Sequence, residues 1–117
     1  MESSQLLEVV VKAADDKRAE EIIAMDVQGI SLLADYFVVC HGNSEKQVGA
    51  IVDQVAEAAR ENGIEVGRIE GKESGKWVLV DLGDIVLHVF HAEERSFYNL
   101  EKLWADAPTV NIASMID

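Results

Sequence analysis

Apolar residues along this chain recur at two periods, and the switches between them mark its elements. After Ser3 and Ser4, either of which can cap a helix, Leu6, Leu7, Val10 and Ala14 fall at helical spacing and predict a helix to about Asp16. The apolar run of Glu21–Val27 predicts a buried strand, broken at Gly29, and Asp35–Gly42 predicts a second strand ending in a glycine turn. Helical spacing returns at Val48, Ile51, Val52, Val55, Ala56 and Ala59. Ser44 is placed to cap that helix, with Gln47 three residues on as in a capping box. Asn62-Gly63 ends it, since Gly63 can take a positive φ without a Cβ clash.

A short strand is predicted over Glu65–Gly71, then a flexible turn, then two strands between Trp77 and Phe90. Gly83-Asp84 suits a two-residue type II′ turn, with glycine at the first central position. That turn sets the register: Leu82 opposite Ile85, Val80 opposite Leu87, Val78 opposite Val89. All six are aliphatic and share one face, which must be the core face. The other face pairs Asp81 with Val86, Leu79 with His88 and Trp77 with Phe90. Two readings of it stay open, a face covered by the last helix or one partly open to a partner; aromatics with a few polar groups are typical of binding hot spots. A final helix is predicted over Ala92–Ala105, with Phe97, Leu100 and Trp104 on one side, and Pro108 stops it.

The resulting order is helix, strand, strand, helix, three strands, helix. A helix between strands calls for a parallel crossover and a hairpin adds antiparallel pairing, so the fold class is α/β: a mixed five-stranded sheet with flanking helices. Residues 1–106 read as a single α/β domain and 107–117 as a loosely ordered C-terminal tail.

Composition narrows the partners. The chain has 117 residues and a net charge of −12, from 22 acidic and 10 basic residues. That charge repels phosphate backbones and argues against broad nucleic-acid binding; it favours a basic partner. A single cysteine, Cys40, excludes an internal disulfide and suits a reducing compartment. No signal peptide or apolar run of membrane-spanning length is apparent, so a cytoplasmic protein without membrane attachment is expected.

Candidate chemistry is thin. Cys40, His41, His88 and His91 lack metal-ligand spacing, and neighbours on a strand diverge, so Cys40-His41 is no catalytic dyad. Gly42–Ser44 opens a helix as in nucleotidyltransferases, but the carboxylates that follow, Asp81 and Asp84, are three residues apart with Asp84 in a turn. They cannot converge on one Mg²⁺. Glu93, Glu94 and Arg95 read as a solvated helix start.

"DYFVVCHGNSEKQV", "EG" (Glu70-Gly71), "WVLVDLGDIVLHVF" and "ERSFYNLEKLW" follow one another with an order and spacing that strongly resemble the ribosomal silencing factor family, also called iojap-like. The resemblance spans about Leu6 to Ala105. It implies a nucleotidyltransferase-like fold without the catalytic carboxylate pair, no enzymatic activity and no cofactor. It implies binding to the large ribosomal subunit at ribosomal protein L-fourteen, blocking subunit joining and repressing translation when nutrients are short. Carried onto this chain, it places the partner site at Trp77, Leu79, Asp81 and His88, bordered by Tyr98, Asn99 and Glu101. Trp77 would be the apolar anchor; Asp81 and Glu101 would meet basic groups. Two alternatives stay open: a residual nucleotide-binding or nucleotidyltransferase-like enzyme using Gly42–Ser44, and a homodimer formed through the aromatic face.

Overall fold

A computed structural model describes residues 1–98, 102 and 106–116, without the side chains of 96–98. In chain order the elements are α1 (Ser3–Asp16), β1 (Glu20–Asp26), β2 (Tyr36–Gly42), α2 (Glu45–Glu61), β3 (Arg68–Glu70), β4 (Trp77–Asp81), β5 (Ile85–His91), α3 (Ala92–Tyr98) and β6 (Thr109–Val110). A 3₁₀ turn at Ala113–Met115 follows. The sheet runs β3-β4-β5-β2-β1-β6. β2 and β5 are parallel and the other neighbours antiparallel.

The sheet therefore has six strands, not five. The sixth, Thr109–Val110, lies in the segment read from sequence as loose tail. It pairs with the free edge of β1, and Ile112 beyond it is 9% exposed within the main core. A two-residue strand is too short to show a period, which is why the pattern did not mark it.

The hairpin register matches the sequence reading pair for pair, and Gly83 has φ +84 as the turn requires. Val78, Val80, Leu82, Ile85, Leu87 and Val89 are all buried against α1 and α2, together with Val38 and Cys40 of β2. α2 begins at its expected cap, Ser44 Oγ accepting from Gln47 N–H at 3.0 Å. α1 starts one or two residues earlier than a cap at Ser3 or Ser4 would place it: its cap is Glu2, whose N–H donates to Gln5 Oε1 at 3.1 Å. The final helix is seen as Ala92–Tyr98; Leu100 and Trp104 of its predicted course lie outside the described residues.

Candidate functional site

The strand registers lay three rows of side chains across the outer sheet face, the one turned away from α1 and α2. One row is Trp77, Phe90, His41, Glu20; the next Leu79, His88, Val39, Ile23; the third Asp81, Val86, Phe37, Met25. On the β1–β2 side this face is covered: Met25, Val27, Val39 and Phe37 pack with Ala34 and Ala107 in a second core. On the β4 side it is partly open. Trp77, Leu79, Asp81 and Val86 are half-buried, whereas Phe90 and His88 lie beneath them at 0% and 8% exposure. The small residues that close over the β1–β2 half, Ala34 and Ala107, precede β2 and β6; the side chains of 96–101 and 103–105, along the predicted last helix, lie outside the described residues.

Trp77 stacks on Phe90, with ring centroids 5.3 Å apart and planes 22° from parallel. Its indole N–H donates to His88 Nδ1 at 3.1 Å. Because an indole can only donate, Nδ1 must carry the lone pair and Nε2 the proton of a neutral ring. Burial acts the same way, pushing the His88 pKa down to about 4. Phe37 meets His88 edge-on at 5.8 Å.

A hollow of about 270 Å³ opens beside this cluster, walled by Leu33, Phe37, Leu79, Val86 and His88 with Arg68 and Asp81 among its lining. Asp81 is half committed: one oxygen accepts from Gly83 N–H at 2.9 Å, holding the turn, and the other lies 3.9 Å from Arg68 Nε. Arg68 also lies 3.4 Å from Glu70. A smaller recess of about 220 Å³, lined by Glu70, Gly71, Trp77 and Leu79, continues the surface along β4. Gly71, at φ +84, is forced: a Cβ there would sit 2.1 Å from the Trp77 carbonyl oxygen. The sequence-predicted residues Trp77, Leu79, Asp81 and His88 are therefore brought together. The side chain of Tyr98, and Asn99 and Glu101 entirely, lie outside the described residues.

Sequence reasoning missed Phe37, Leu33 and Arg68 as neighbours of this face. Phe37 arrives because β2 lies beside β5, a choice of neighbour that no local pattern encodes. Arg68 arrives through the β3–β4 pairing, in which it stands opposite Asp81.

The other candidate positions have structural occupations. Cys40 is fully buried in the α1–α2 core, and burial raises its thiol pKa to about 12 against the opposing pull of Arg95. Among the described residues no three His, Cys, Asp or Glu side chains form a metal-holding group. At the Gly42–Ser44 opening, Gln47 accepts from Asn43 N–H at 2.8 Å and donates to the carbonyls of Lys17 and Arg18 at 3.2 and 3.0 Å. It ties the α2 start to the α1–β1 turn. Gly42 fits closely there: a Cβ would lie 3.2 Å from Gln47 Cγ and from Val48 N, so those neighbours would have to shift by a few tenths of an ångström.

Arg95 is not the solvated residue its sequence context suggested. It is 7% exposed, and its Nη1 donates to His41 Nδ1 at 2.9 Å and to the Glu20 carbonyl at 3.3 Å. With a guanidinium as donor, His41 Nδ1 must accept, so Nε2–H donates to Glu20 Oε2 at 3.1 Å. A one-residue bulge in β1 between Glu20 and Ile23, with Glu21 at φ 48, turns Glu20 toward this histidine. Arg95 thereby fastens α3 to the far end of the Trp77 row.

A mixed sheet with one helix-covered face and one half-open aromatic face is the α/β architecture that carries this cluster. Comparison with known proteins gives the family. The family described as "Ribosomal silencing factor during starvation" matches residues 1–117. Proteins named "Ribosomal silencing factor RsfS" are 56% identical over 116 residues in Halalkalibacterium halodurans (99% of each chain) and 57% identical over 112 in Bacillus subtilis (96% of this chain, 95% of that one). A crystal structure from Chromobacterium violaceum, 35% identical, superposes with a TM-score of 0.88 over 90% of this chain and 88% of its own. A more distant mouse relative, 30% identical over 101 residues (84% of this chain, 44% of that one), is named "Mitochondrial assembly of ribosomal large subunit protein 1". The chain belongs to the ribosomal silencing factor family. No helix among the described residues is long and apolar enough to cross a membrane.

Proposed function

We propose that this chain binds the large ribosomal subunit at ribosomal protein L-fourteen through the open half of its outer sheet face, and from there blocks joining of the small subunit. It would act in the cytoplasm, without enzymatic activity or cofactor, on a nucleotidyltransferase-like scaffold whose catalytic carboxylate pair is missing. The observation that carries the reading is the half-open cluster of Trp77, Leu79, Asp81 and Val86 on a member of this family. A net charge of −12 supports a basic protein partner over RNA, and the name of the mouse relative supports the large subunit.

The nucleotide-handling alternative has less support. Asp81 is engaged with Gly83 and Arg68, and the α2 opening is filled by Gln47's own hydrogen bonds. The deciding experiment is co-sedimentation with purified large subunits, followed by addition of small subunits. Binding that lowers the yield of joined ribosomes is the expected result. Absence of binding, or joining that proceeds undiminished with the protein bound, would overturn the proposal. Calorimetry with ATP, CTP and Mg²⁺ is expected to show no heat at millimolar nucleotide.

A further inference from the structure

Between β1 and β2 the chain gives three large aliphatic side chains to water. Ile30 is 49% exposed, Leu33 81% and Leu32 fully exposed at 105%. The loop that carries them is tightly tied. Val27 N–H donates to the Asp35 carbonyl at 2.9 Å, and Ile30 and Ser31 N–H donate to the Val27 carbonyl at 3.0 and 2.8 Å. Leu33 N–H donates to Ser31 Oγ at 3.1 Å, and Asp35 N–H to the Asp84 carbonyl at the hairpin tip at 2.7 Å. Gly29, at φ +80, permits the reversal. A backbone this well ordered loses little conformational freedom on association.

Leu33 is also one wall of the 270 Å³ hollow, so the loop and the hairpin face form one continuous surface. Acidic residues stand close to it in the fold: Asp26 and Asp35 at the two ends of the loop, Asp84 at the hairpin tip, where its carbonyl accepts from Asp35 N–H, and Asp81 in the hollow, with Arg68 as the cation there. Leucines offer no stacking plane or hydrogen bond to a base, and the carboxylates repel phosphate, which disfavours RNA. The same carboxylates disfavour an anionic membrane surface. A two-fold pairing of the patch with itself would bring like charges together.

We propose that Ile30, Leu32 and Leu33 are a preformed apolar anchor that seats in an aliphatic recess ringed by lysines or arginines on a large-subunit protein, beside the contacts made by the hairpin face. This inference rests on the proposed function and adds a second contact element to it.

The test is fluorescence anisotropy of the labelled full chain titrated with purified large subunits. Because both leucines are exposed, Leu32→Ser/Leu33→Ser is expected to melt like the wild type and to bind about tenfold or more weakly, the scale of losing buried leucine side chains. Leu32→Lys should bind more weakly than Leu32→Glu, since a lysine would face the basic ring. Equal binding by the double variant, with Leu79→Ser impaired, overturns the anchor and leaves the functional reading intact. A wild type that ignores large subunits removes both. The reverse order of the Lys and Glu variants overturns the basic ring. A wild-type dimer that the double variant dissolves in sedimentation velocity would assign the patch to a second copy. Retention on phosphatidylglycerol vesicles or on protein-free large-subunit RNA that the double variant loses would assign it to those surfaces. Each of these outcomes overturns the proposal.

Discussion

The indole of Trp77 reaches diagonally across the hairpin: its register partner is Phe90, yet its N–H bonds to His88 Nδ1, one row along, at 3.1 Å. Stack and hydrogen bond together fix the ring at the edge of the open face. Trp77→Phe keeps the stack and deletes the donor, so it should cost about 1 kcal/mol of stability. Trp77→Ala loses both and should cost about 3 kcal/mol, with large-subunit affinity falling more than tenfold under conditions where the variant is folded. Urea unfolding and co-sedimentation measure the two effects; a Trp77→Ala variant that is folded and binds normally would remove Trp77 from the interface.

His88 makes stability depend on pH. Its folded pKa is depressed to about 4 from an ordinary 6.5 because burial disfavours the charged ring. The unfolded chain therefore takes up a proton at a higher pH than the folded one. The neutral ring's contribution is fully present above about pH 6.5 and is lost as pH falls toward 4, in total roughly 3 kcal/mol. His88→Gln keeps an acceptor for the indole and cannot titrate, so its stability should fall less steeply over that window. Identical slopes for variant and wild type would exclude His88 as the source.

Arg95→Met keeps the aliphatic stem and removes the donor to His41 and Glu20. Loss of a buried charged hydrogen bond predicts about 2–3 kcal/mol of destabilisation, and α3 should lose hydrogen-exchange protection before the rest of the sheet. Uniform loss across the molecule would mean that Arg95 supports the whole fold and not specifically the docking of α3.

Gly71→Ala should be among the most damaging small changes. It combines a positive φ with a Cβ lying 2.1 Å from the Trp77 carbonyl, and more than about 2 kcal/mol is expected. A thermal melt checks it; a near-neutral result would show that the β3–β4 connection can shift freely.

Truncation after Pro108 tests the C-terminal segment. It removes the β1–β6 pairing and the buried Ile112 side chain, for which about 2–3 kcal/mol is expected. An unchanged denaturation midpoint would return that segment to the role of a loose tail.

What the sequence disclosed followed from how local each signal is. The hairpin register was readable because Gly83-Asp84 fixes it within a few residues, and α2 was readable because Ser44 and Gln47 mark its start. Four of the candidate site residues, Trp77, Leu79, Asp81 and His88, share one β-face and could be grouped by alternation alone. Arg95 was misjudged because Glu93 and Glu94 beside it suggest water, while its partner His41 is 54 positions away. Ile30, Leu32 and Leu33 gave no warning of exposure, since aliphatic residues most often lie inside. Ile112 and β6 were hidden because their pairing partner, β1, lies at the other end of the chain.

The parallel ladder between β2 and β5 joins residues 36–42 to residues 85–91. During synthesis, the sheet's central seam cannot close fully until His91 has been added and has left the exit tunnel, long after β2 has been made. The Trp77 row is completed only by that seam, so a nascent chain lacks the finished face through which we propose that the folded protein binds the ribosome.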